Sequence, residues 1–473
     1  MELSKEQQLA FDKYIKGNNI FITGPGGSGK SALIRKIKEH SRKEIQVCAL
    51  TGCAAVLLNC KAKTLHSWSG IGLGNGTIEQ NIKKILGSRY KREMWKNTDI
   101  LIVDEVSMLS LKLFNMLNEI GKIVRKNPRP FGGIQLIFSG DFYQLPPVGN
   151  KDEPDTICFC FESDNWNSIF SQDCQIQLIK IFRQTDETYS SILNQIRIGK
   201  IKKKTNDILL QYVGREPDKN LLVEPTKLFP TKNKVEHINN SKMVSLDSEE
   251  KEYTVKNVLD IEMTSEEKQL RLQYSMENIQ TELDFLTGNL ICDKNLKLKV
   301  GAQVMCIINI SLSTNDEMIC NGSQGIIIRF CPTTNFPIVK YNNGVEMVMG
   351  RHIWPSENIP GIGVSQVPLI LAWALTIHKS QGATLDTAEI DVGSGIFECG
   401  QTYVALSRVK SLNGLYLTSF DVRKIKINIK VKEYYDSLTL FQEENQKQSE
   451  RQEDNTKENP FSNYNYNYQI SEK

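Results

Sequence analysis

No stretch of the 473 residues is apolar for long enough to cross a bilayer; the nearest, Val367–Ile377, is too short. Paired cysteines are missing too. The chain holds 11 cysteines, an odd number, with no two spaced as C-x-x-C, which argues against a disulfide frame or a zinc site and for reduced thiols. Strong charge of either sign is absent. At a net +3, any polyanionic partner must be held by local basic surfaces. From Glu443 onward there are seven acidic and four basic residues, so the rest carries about +6, a mild bias toward nucleic acid. The first residues form neither a secretory apolar core nor an Arg/Ser-rich mitochondrial transit segment. A soluble intracellular protein of the nucleus or cytoplasm, with no membrane partner, is expected. No internal repeat is visible. Hydrophobic content of 40% and charged content of 24% are ordinary for a globular chain with room for two or three domains.

What the chain does have is Gly24-Pro25-Gly26-Gly27-Ser28-Gly29-Lys30-Ser31. It follows a short apolar run, Ile20–Thr23, and precedes the helical Ala32-Leu33-Ile34, the strand–loop–helix setting of a phosphate loop. The glycines let successive backbone N–H groups turn inward toward phosphate oxygens, and the helix start adds partial positive charge. Lys30 can reach the β- and γ-phosphates, and the Ser31 hydroxyl can ligate Mg²⁺. A nucleoside triphosphate is the expected ligand.

The first 180 residues alternate short apolar runs with polar-faced helical stretches, the rhythm of a mostly parallel two-sided sheet. Its candidate strands are Ile20–Thr23, Ile45–Leu50, Ile100–Val103 and Ile134–Ser139. A basic stretch, Asn81–Lys96, interrupts it. A second α/β rhythm from about Leu178 has candidate strands Lys227–Pro230, Leu369–Thr376, Ala388–Val392 and Gly414–Thr418. Between them, the stretch Ser241–Thr287 is charged and partly helical in pattern, from Glu266 to Asp284, and fits no assigned element. Leu296–Ile308, Gly325–Phe330, Ile338–Tyr341 and Val345–Met349 are short, β-rich and broken by turns. Asn343-Gly344 signals a hairpin, and the set suggests a small inserted β-barrel. The end of the chain, almost without aliphatic residues, reads as disordered.

The run Ile100–Val103 ends in Asp104-Glu105. In a phosphate-loop enzyme the Asp at that strand end holds Mg²⁺, and the next acid can deprotonate the attacking water. Asp141 and Gln144 follow the neighbouring strand. They could touch the γ-phosphate or the attacking water, or belong to a proline-stiffened loop that caps the sheet. Phosphoryl transfer also needs positive charge on the far side of the γ-phosphate, and the chain has no second phosphate loop. Arg183 and Arg408, each beside apolar anchors, are candidates, a structural ion pair being the other reading for both.

Ten stretches occur in a family order: Leu3–Gln7, the phosphate loop, Thr51–Ala55, Thr64–Ser67, Asp104-Glu105, Gly140–Pro147, Phe182–Gln184, Leu193–Gly199, His378–Gly382 and Tyr403–Arg408. Together they resemble a superfamily 1 DNA helicase of the petite integration frequency (PIF) group, relatives of the RecD helicases, over roughly residues 1 to 425. The resemblance implies two RecA-like lobes that hydrolyse ATP to ADP and phosphate in their cleft and step 5′ to 3′ along single-stranded DNA. It implies that Gln7 reads the adenine edge, that Gln144 senses the γ-phosphate, and that Arg183 and Arg408 complete the catalytic set with Lys30 and Glu105. ATP would be bound by Gly24, Gly26, Gly27, Ser28, Gly29, Lys30 and Ser31, with Gln381 and Gly382 coupling nucleotide to DNA. Mg²⁺ would fall to Ser31 and Asp104. Thr51, Gly52, His66, Thr376, His378, Lys379 and Ser380 would line the DNA track.

The resulting expectation is an α/β protein of two RecA-like parallel-sheet lobes with a small inserted β-barrel and a disordered tail. Residues 1–178 form the first lobe, with the basic insertion at about 72–97. Residues 179–295 and 357–430 form the second, 296–356 the barrel, and 440–473 the tail. The expected function is an ATP-dependent 5′-to-3′ DNA helicase, monomeric, acting on single-stranded and forked or structured DNA in replication, repair or recombination. A DNA-stimulated translocase with little unwinding and an ATP-switched DNA-binding subunit are the alternatives. The insertion at 81–96 reads equally as a strand-separating element or a solvated charged helix face. Lys200–Lys204 reads as solvated surface, and Trp68 and Trp354 as core more than base-stacking platforms.

Overall fold

The computed structural model describes residues 3–439 except 59, 61, 73, 75, 185, 219–220, 312–317 and 357–358. Six strands, β1 (Ile20–Thr23), β2 (Ile45–Ala49), β3 (Lys63–Thr64), β4 (Ile100–Asp104), β5 (Gln135–Gly140) and β6 (Gln175–Gln177), make one sheet in the order β3-β2-β4-β5-β1-β6. Every pairing in it is parallel. β1 and β4 are buried along their whole length, as strands covered by helices on both faces must be, which is why they read as unbroken apolar runs. The two edge strands β3 and β6 carry no such run and gave no signal. Helix α1 (Lys5–Ile15) starts at a capping box of Ser4 and Gln7, and α2 (Lys30–His40) springs from the phosphate loop at a left-handed Gly29.

A second sheet runs Ala374–Thr376, β7 (Thr226–Phe229), Ala388–Val392 and Leu415–Phe420, again all parallel. The expected strand Leu369–Thr376 is two strands. Leu369–Leu371 pairs antiparallel with Gln303–Cys306, and only Ala374–Thr376 joins β7. Both halves are largely buried, so hydrophobicity alone could not reveal the break. At the joint, Gln303 Nε2 donates to Ala372 O at 3.0 Å and to Glu224 O at 2.8 Å.

The β-rich region is an open antiparallel sheet, Glu346–Val348, Pro337–Tyr341, Gln324–Phe330, Gln303–Cys306 and Leu369–Leu371 in order. Its hairpin turns at Asn343-Gly344, with Gly344 at φ 87°. Among the described residues no pairing joins its two edge strands, so closure into the expected barrel is not seen. The stretch Ser241–Thr287 belongs to the same region. Lys251–Thr254 pairs with Asn295–Leu298, and Lys256–Val258 pairs with Gly363–Gln366. The helix Met276–Gly288 buries Ile279 and Leu283 against Ile359, Ile362 and Val364.

The basic stretch folds as helices Ile78–Leu86 and Arg89–Asn97. Lys84 and Lys91 donate to the Ile71 and Gly70 carbonyls, while Lys83, Arg89 and Lys96 stay exposed. Trp68 is buried beside Trp95, and Trp354 is half-buried. Lys200, Lys202, Lys203 and Lys204 are exposed. A final helix over residues 429–439 leaves the second lobe and packs Val431, Tyr435 and Leu438 into the core of the first. The expected disordered tail, 440–473, lies outside the described residues. Among those described, no helix is long and apolar enough to cross a membrane.

One tight contact in the first lobe is readily tested. The helix Leu111–Arg125 meets residues 130–133 at Gly121, where a Cβ would lie 2.5 Å from the Phe131 carbonyl carbon. Gly121→Ala is expected to cost about 1–3 kcal/mol through overpacking. A thermal melt should show the lower transition, and an unchanged midpoint would mean the helix can simply step back.

Candidate active site

The phosphate loop closes against the second lobe. Gly27 has φ 81°, and a Cβ there would meet Arg183 Cβ at 2.4 Å, so glycine is required both for the turn and for the close approach. The Phe182 N–H donates to Gly27 O at 2.8 Å, fixing that approach. From the far side, the Tyr403 hydroxyl accepts the Gly26 N–H at 2.9 Å. Lys30 folds back to donate to Gly24 O at 2.7 Å and Pro25 O at 3.0 Å.

A cavity of about 220 Å³ lies over the loop, lined by Gly26–Ser31, Asp104, Glu105, Gln144, Arg183, Gly382 and Arg408. Residues from both lobes therefore share one space. The Ser31 hydroxyl donates to Asp104 Oδ2 at 3.3 Å, and Glu105 accepts from Gln381 Nε2 across the cleft at 3.3 Å. Glu105 sits at φ 56° and ψ 41°, a left-handed conformation that is costly for a glutamate and held by its surroundings. Gln144 is buried, and its Oε1 has no partner among the described residues. A buried acceptor left open in this way is a place for a ligand's donor or a water.

The electrostatics are those of a site built around an anion. Burial lowers the pKa of Lys30 and of Arg183, and with the like charge of Arg183 it takes Arg408 down to about 9. Burial also raises both carboxylic acids, and the charge of Asp104 raises Glu105 further. A polyphosphate would relieve the desolvated cations, and a divalent cation would relieve the acids. Ser31 and Asp104 supply the hydroxyl and carboxylate oxygens that suit Mg²⁺ shared with phosphate.

Other expected residues are held differently. Gln7 Oε1 accepts the Ser4 N–H and its Nε2 donates to Gly29 O at 3.4 Å, so its amide braces the loop in this conformation. Gly24 opens the loop outside the cavity lining, at φ 145°. Asp141 does not reach the cavity. Its two oxygens accept from Arg197 Nε and Nη2, each at 2.8 Å, with both side chains buried. Of the two readings open for the Asp141–Gln144 segment, Asp141 takes the structural one and Gln144 lines the cavity.

The expected DNA-track residues fall into two groups. Gly52 and His66 line cavities roofed by the helix Met276–Gly288, and burial lowers the His66 pKa. Thr51 sits beside Gly52 and caps Ala54 N at 3.2 Å. Thr376, His378, Lys379 and Ser380 form a turn after the second-lobe strand, where Thr376 Oγ1 accepts the Lys379 N–H. Burial lowers the His378 pKa. Ser380 is fully buried and donates to Ile377 O, so it presents nothing at the surface.

Three participants were not assigned roles from sequence. Tyr403 and Arg197 lie inside quoted motifs, yet their partners are far away in the chain. Phe182, about half exposed, lies beside Gln7 at Gly29 and offers a flat apolar face at the cavity mouth.

Known proteins are similar to this chain over most of its length. The family model described as PIF1-like helicase matches residues 2–207, and one described as DNA helicase Pif1, 2B domain, matches residues 283–330. The ATP-dependent DNA helicase PIF1 of Emericella nidulans is 35% identical over 89% of this chain, which spans 61% of that relative's length. The crystal structure of Pif1 helicase from Candida albicans is 35% identical with a TM-score of 0.73, covering 93% of this chain and 100% of that one. Pif1 helicase from Bacteroides, solved with ADP-AlF3 and single-stranded DNA, is 29% identical with a TM-score of 0.62, covering 92% and 98%.

The Asp141–Arg197 pair sets a clear expectation. Arg197→Met strands a buried carboxylate and should destabilise the fold by about 3–5 kcal/mol, whereas an apolar replacement of both partners should recover much of that loss. Thermal melts of the single and double variants decide it; equal destabilisation in both would mean packing, not charge, dominates.

Proposed function

The chain belongs to the PIF1-like helicase family, and from that premise we propose that it is an ATP-dependent DNA helicase moving 5′ to 3′ on single-stranded DNA. One observation carries the reading: Arg183 and Arg408 line the same cavity as Lys30 and Glu105, so groups from both sides of a cleft bear on one site. A protein that only bound a nucleotide as an assembly switch would have no use for a base opposite two arginines.

In the proposed reaction the loop amides and Lys30 bind the phosphates of ATP. Glu105, held off the strand end by its left-handed backbone, takes the proton from the attacking water. Gln144 orients that water by accepting from it on the unpartnered Oε1, or reads the γ-phosphate by donating from Nε2. Arg183 and Arg408 bear on the charge that builds on the transferred group, an effect worth roughly 10³–10⁵ in rate in this class of reaction. Mg²⁺, held by Ser31 and Asp104, would neutralise the charge on the β- and γ-oxygens. ATP binding would draw the two lobes together and product release would free them, so alternating grip on a strand in the Gly52–His66 and Thr376–Lys379 regions gives directed motion. Duplex separation costs about 1.4 kcal/mol per base-pair step. Exposed Lys83, Arg89 and Lys96 suit the basic insertion to a strand-separating role. Pif1 from Bacteroides in complex with ADP-AlF3 and single-stranded DNA supports both the ligand and the partner. We read residues 1–178 as the first lobe and the second parallel sheet with its helices, within 179–295 and 357–430, as the second, the strands and helix of 251–288 going with the inserted β-rich region and the chain acting as a monomer.

Hydrolysis and unwinding test the reading. ATPase activity should rise with single-stranded DNA and vanish with EDTA, and a 5′-tailed duplex should be unwound while a 3′-tailed one is not. Glu105→Gln should keep ATP and DNA binding and lose roughly 10²–10⁴ in turnover. Arg183→Ala, the less buried of the two arginines, should lose turnover with DNA affinity held. Unwinding confined to 3′ tails, or turnover indifferent to DNA, would overturn the proposal.

A further inference from the structure

The helix over residues 429–439 begins where the second lobe has ended, yet its tyrosines lie in the first lobe beside the nucleotide site. Tyr435 is buried, and its ring stacks on Tyr143 at 4.8 Å and 12°. The Arg197 guanidinium lies 4.6 Å from the Tyr143 ring and 5.2 Å from the Tyr435 ring. The Tyr435 hydroxyl accepts the Phe142 N–H at 3.2 Å, shares a hydrogen bond with the Thr23 hydroxyl, and donates toward Asp141 Oδ1 at 3.5 Å. All of its hydrogen-bonding capacity is therefore used, and by groups with one thing in common. Thr23 is the last residue of β1, directly before the phosphate loop. Phe142 begins the turn that carries Gln144, whose N–H is bonded back to Asp141 O at 2.9 Å.

We propose that Tyr435 is a positioning residue for ATP hydrolysis, its hydroxyl fixing the Gln144 turn relative to the base of the phosphate loop. The inference rests on the ATPase reading above. Neighbouring strands β1 and β5 bring the two segments side by side, but their ladder ends at Thr23 and Gly140. Beyond that point no ladder bond holds the turn, and the Tyr435 hydroxyl is the bridge that continues it. Gln144 has no side-chain partner on Oε1 to hold it otherwise. The neighbouring Tyr434 does the packing work of the helix, stacking on Phe161 at 4.6 Å and bonding Gln175 Oε1, so the two adjacent tyrosines divide anchoring from positioning.

The test uses the full chain with saturating single-stranded DNA. Wild-type turnover comes first; its absence would sink the ATPase reading and leave the positioning claim without a reaction. With turnover present, Tyr435→Phe keeps the ring stack and removes the hydroxyl. It should lower kcat about five- to ten-fold, the scale of losing a buried hydrogen-bonded hydroxyl, with the KM for ATP held and the melting temperature lowered no further than in Leu438→Ala. Gln144→Ala combined with Tyr435→Phe should be no slower than Gln144→Ala alone, since both act through one group. Leu438→Ala, which loosens the same helix away from the hydroxyl, should lower the melting temperature and leave kcat in place. An unchanged kcat in Tyr435→Phe, multiplicative losses in the double variant, or an equal kcat loss in Leu438→Ala would each overturn the proposal.

Discussion

The relation between the two lobes depends on one buried ion pair. Arg197 ends the helix Glu187–Arg197, whose Tyr189, Ile192, Leu193 and Ile196 lie in the core of the second lobe, yet its guanidinium grips Asp141 at the end of a first-lobe strand. Taking two charges out of water is expensive, and such a pair holds only with full geometry. Here the contact is bidentate, and two tyrosine rings close over the guanidinium to keep water out. Four residues beyond Asp141, Leu145 is itself buried in the second-lobe core. The strand end that carries Gln144 is thus pinned on both sides by the other lobe.

Around this fixed point the nucleotide site is left electrostatically incomplete. Lys30, Arg183, Arg408, Asp104 and Glu105 share one cavity, and burial works against the charged form of each. An apolar core would have tolerated none of them. The strain at Glu105 belongs to the same account, since the left-handed backbone swings its carboxylate toward Gln381 and the cavity and away from the sheet axis. Such a site is stable because the surrounding sheet and helices over-determine it, and a bound polyphosphate and divalent cation would relieve its charges.

How far all this was legible from sequence depended on distance along the chain. The phosphate loop, Asp104-Glu105 and the strands β1, β2, β4 and β5 are local patterns: a turn that needs glycines, a run buried on both faces, an acid at a strand end. Arg183 and Arg408 were visible as arginines beside apolar anchors, but nothing local distinguishes a cleft arginine from an ion-paired one. Asp141 was ambiguous for the same reason, its partner lying 56 residues away. Leu369–Thr376 looked like one strand because burial erases the alternation that would mark where the chain leaves one sheet for another. The stretch from Lys251 hid its strands behind charge, because Lys251–Thr254 lies with much of its surface in solvent and pairs with a strand more than forty positions later. The helix over residues 429–439 carries the helical spacing Val431, Tyr435, Leu438, but the core it fills lies in the other lobe, with Phe142 293 positions earlier, which nothing local reveals.

The contacts between lobes fall into two strengths, and the division has a mechanical meaning. At the pivot stand the buried Asp141–Arg197 pair and Leu145, which is buried in the second-lobe core. Over the nucleotide cavity stand a Gln381–Glu105 bond at 3.3 Å and the Gly26–Tyr403 bond at 2.9 Å. Each of the second set joins groups that phosphate, water or metal can satisfy equally well, so exchanging them costs little net free energy. Breaking the pivot would expose an unpaired buried charge. On the proposed activity, nucleotide would therefore rearrange the cavity face of the cleft while the far side stayed closed, and motion between the lobes would be a rotation about Arg197 and not a separation.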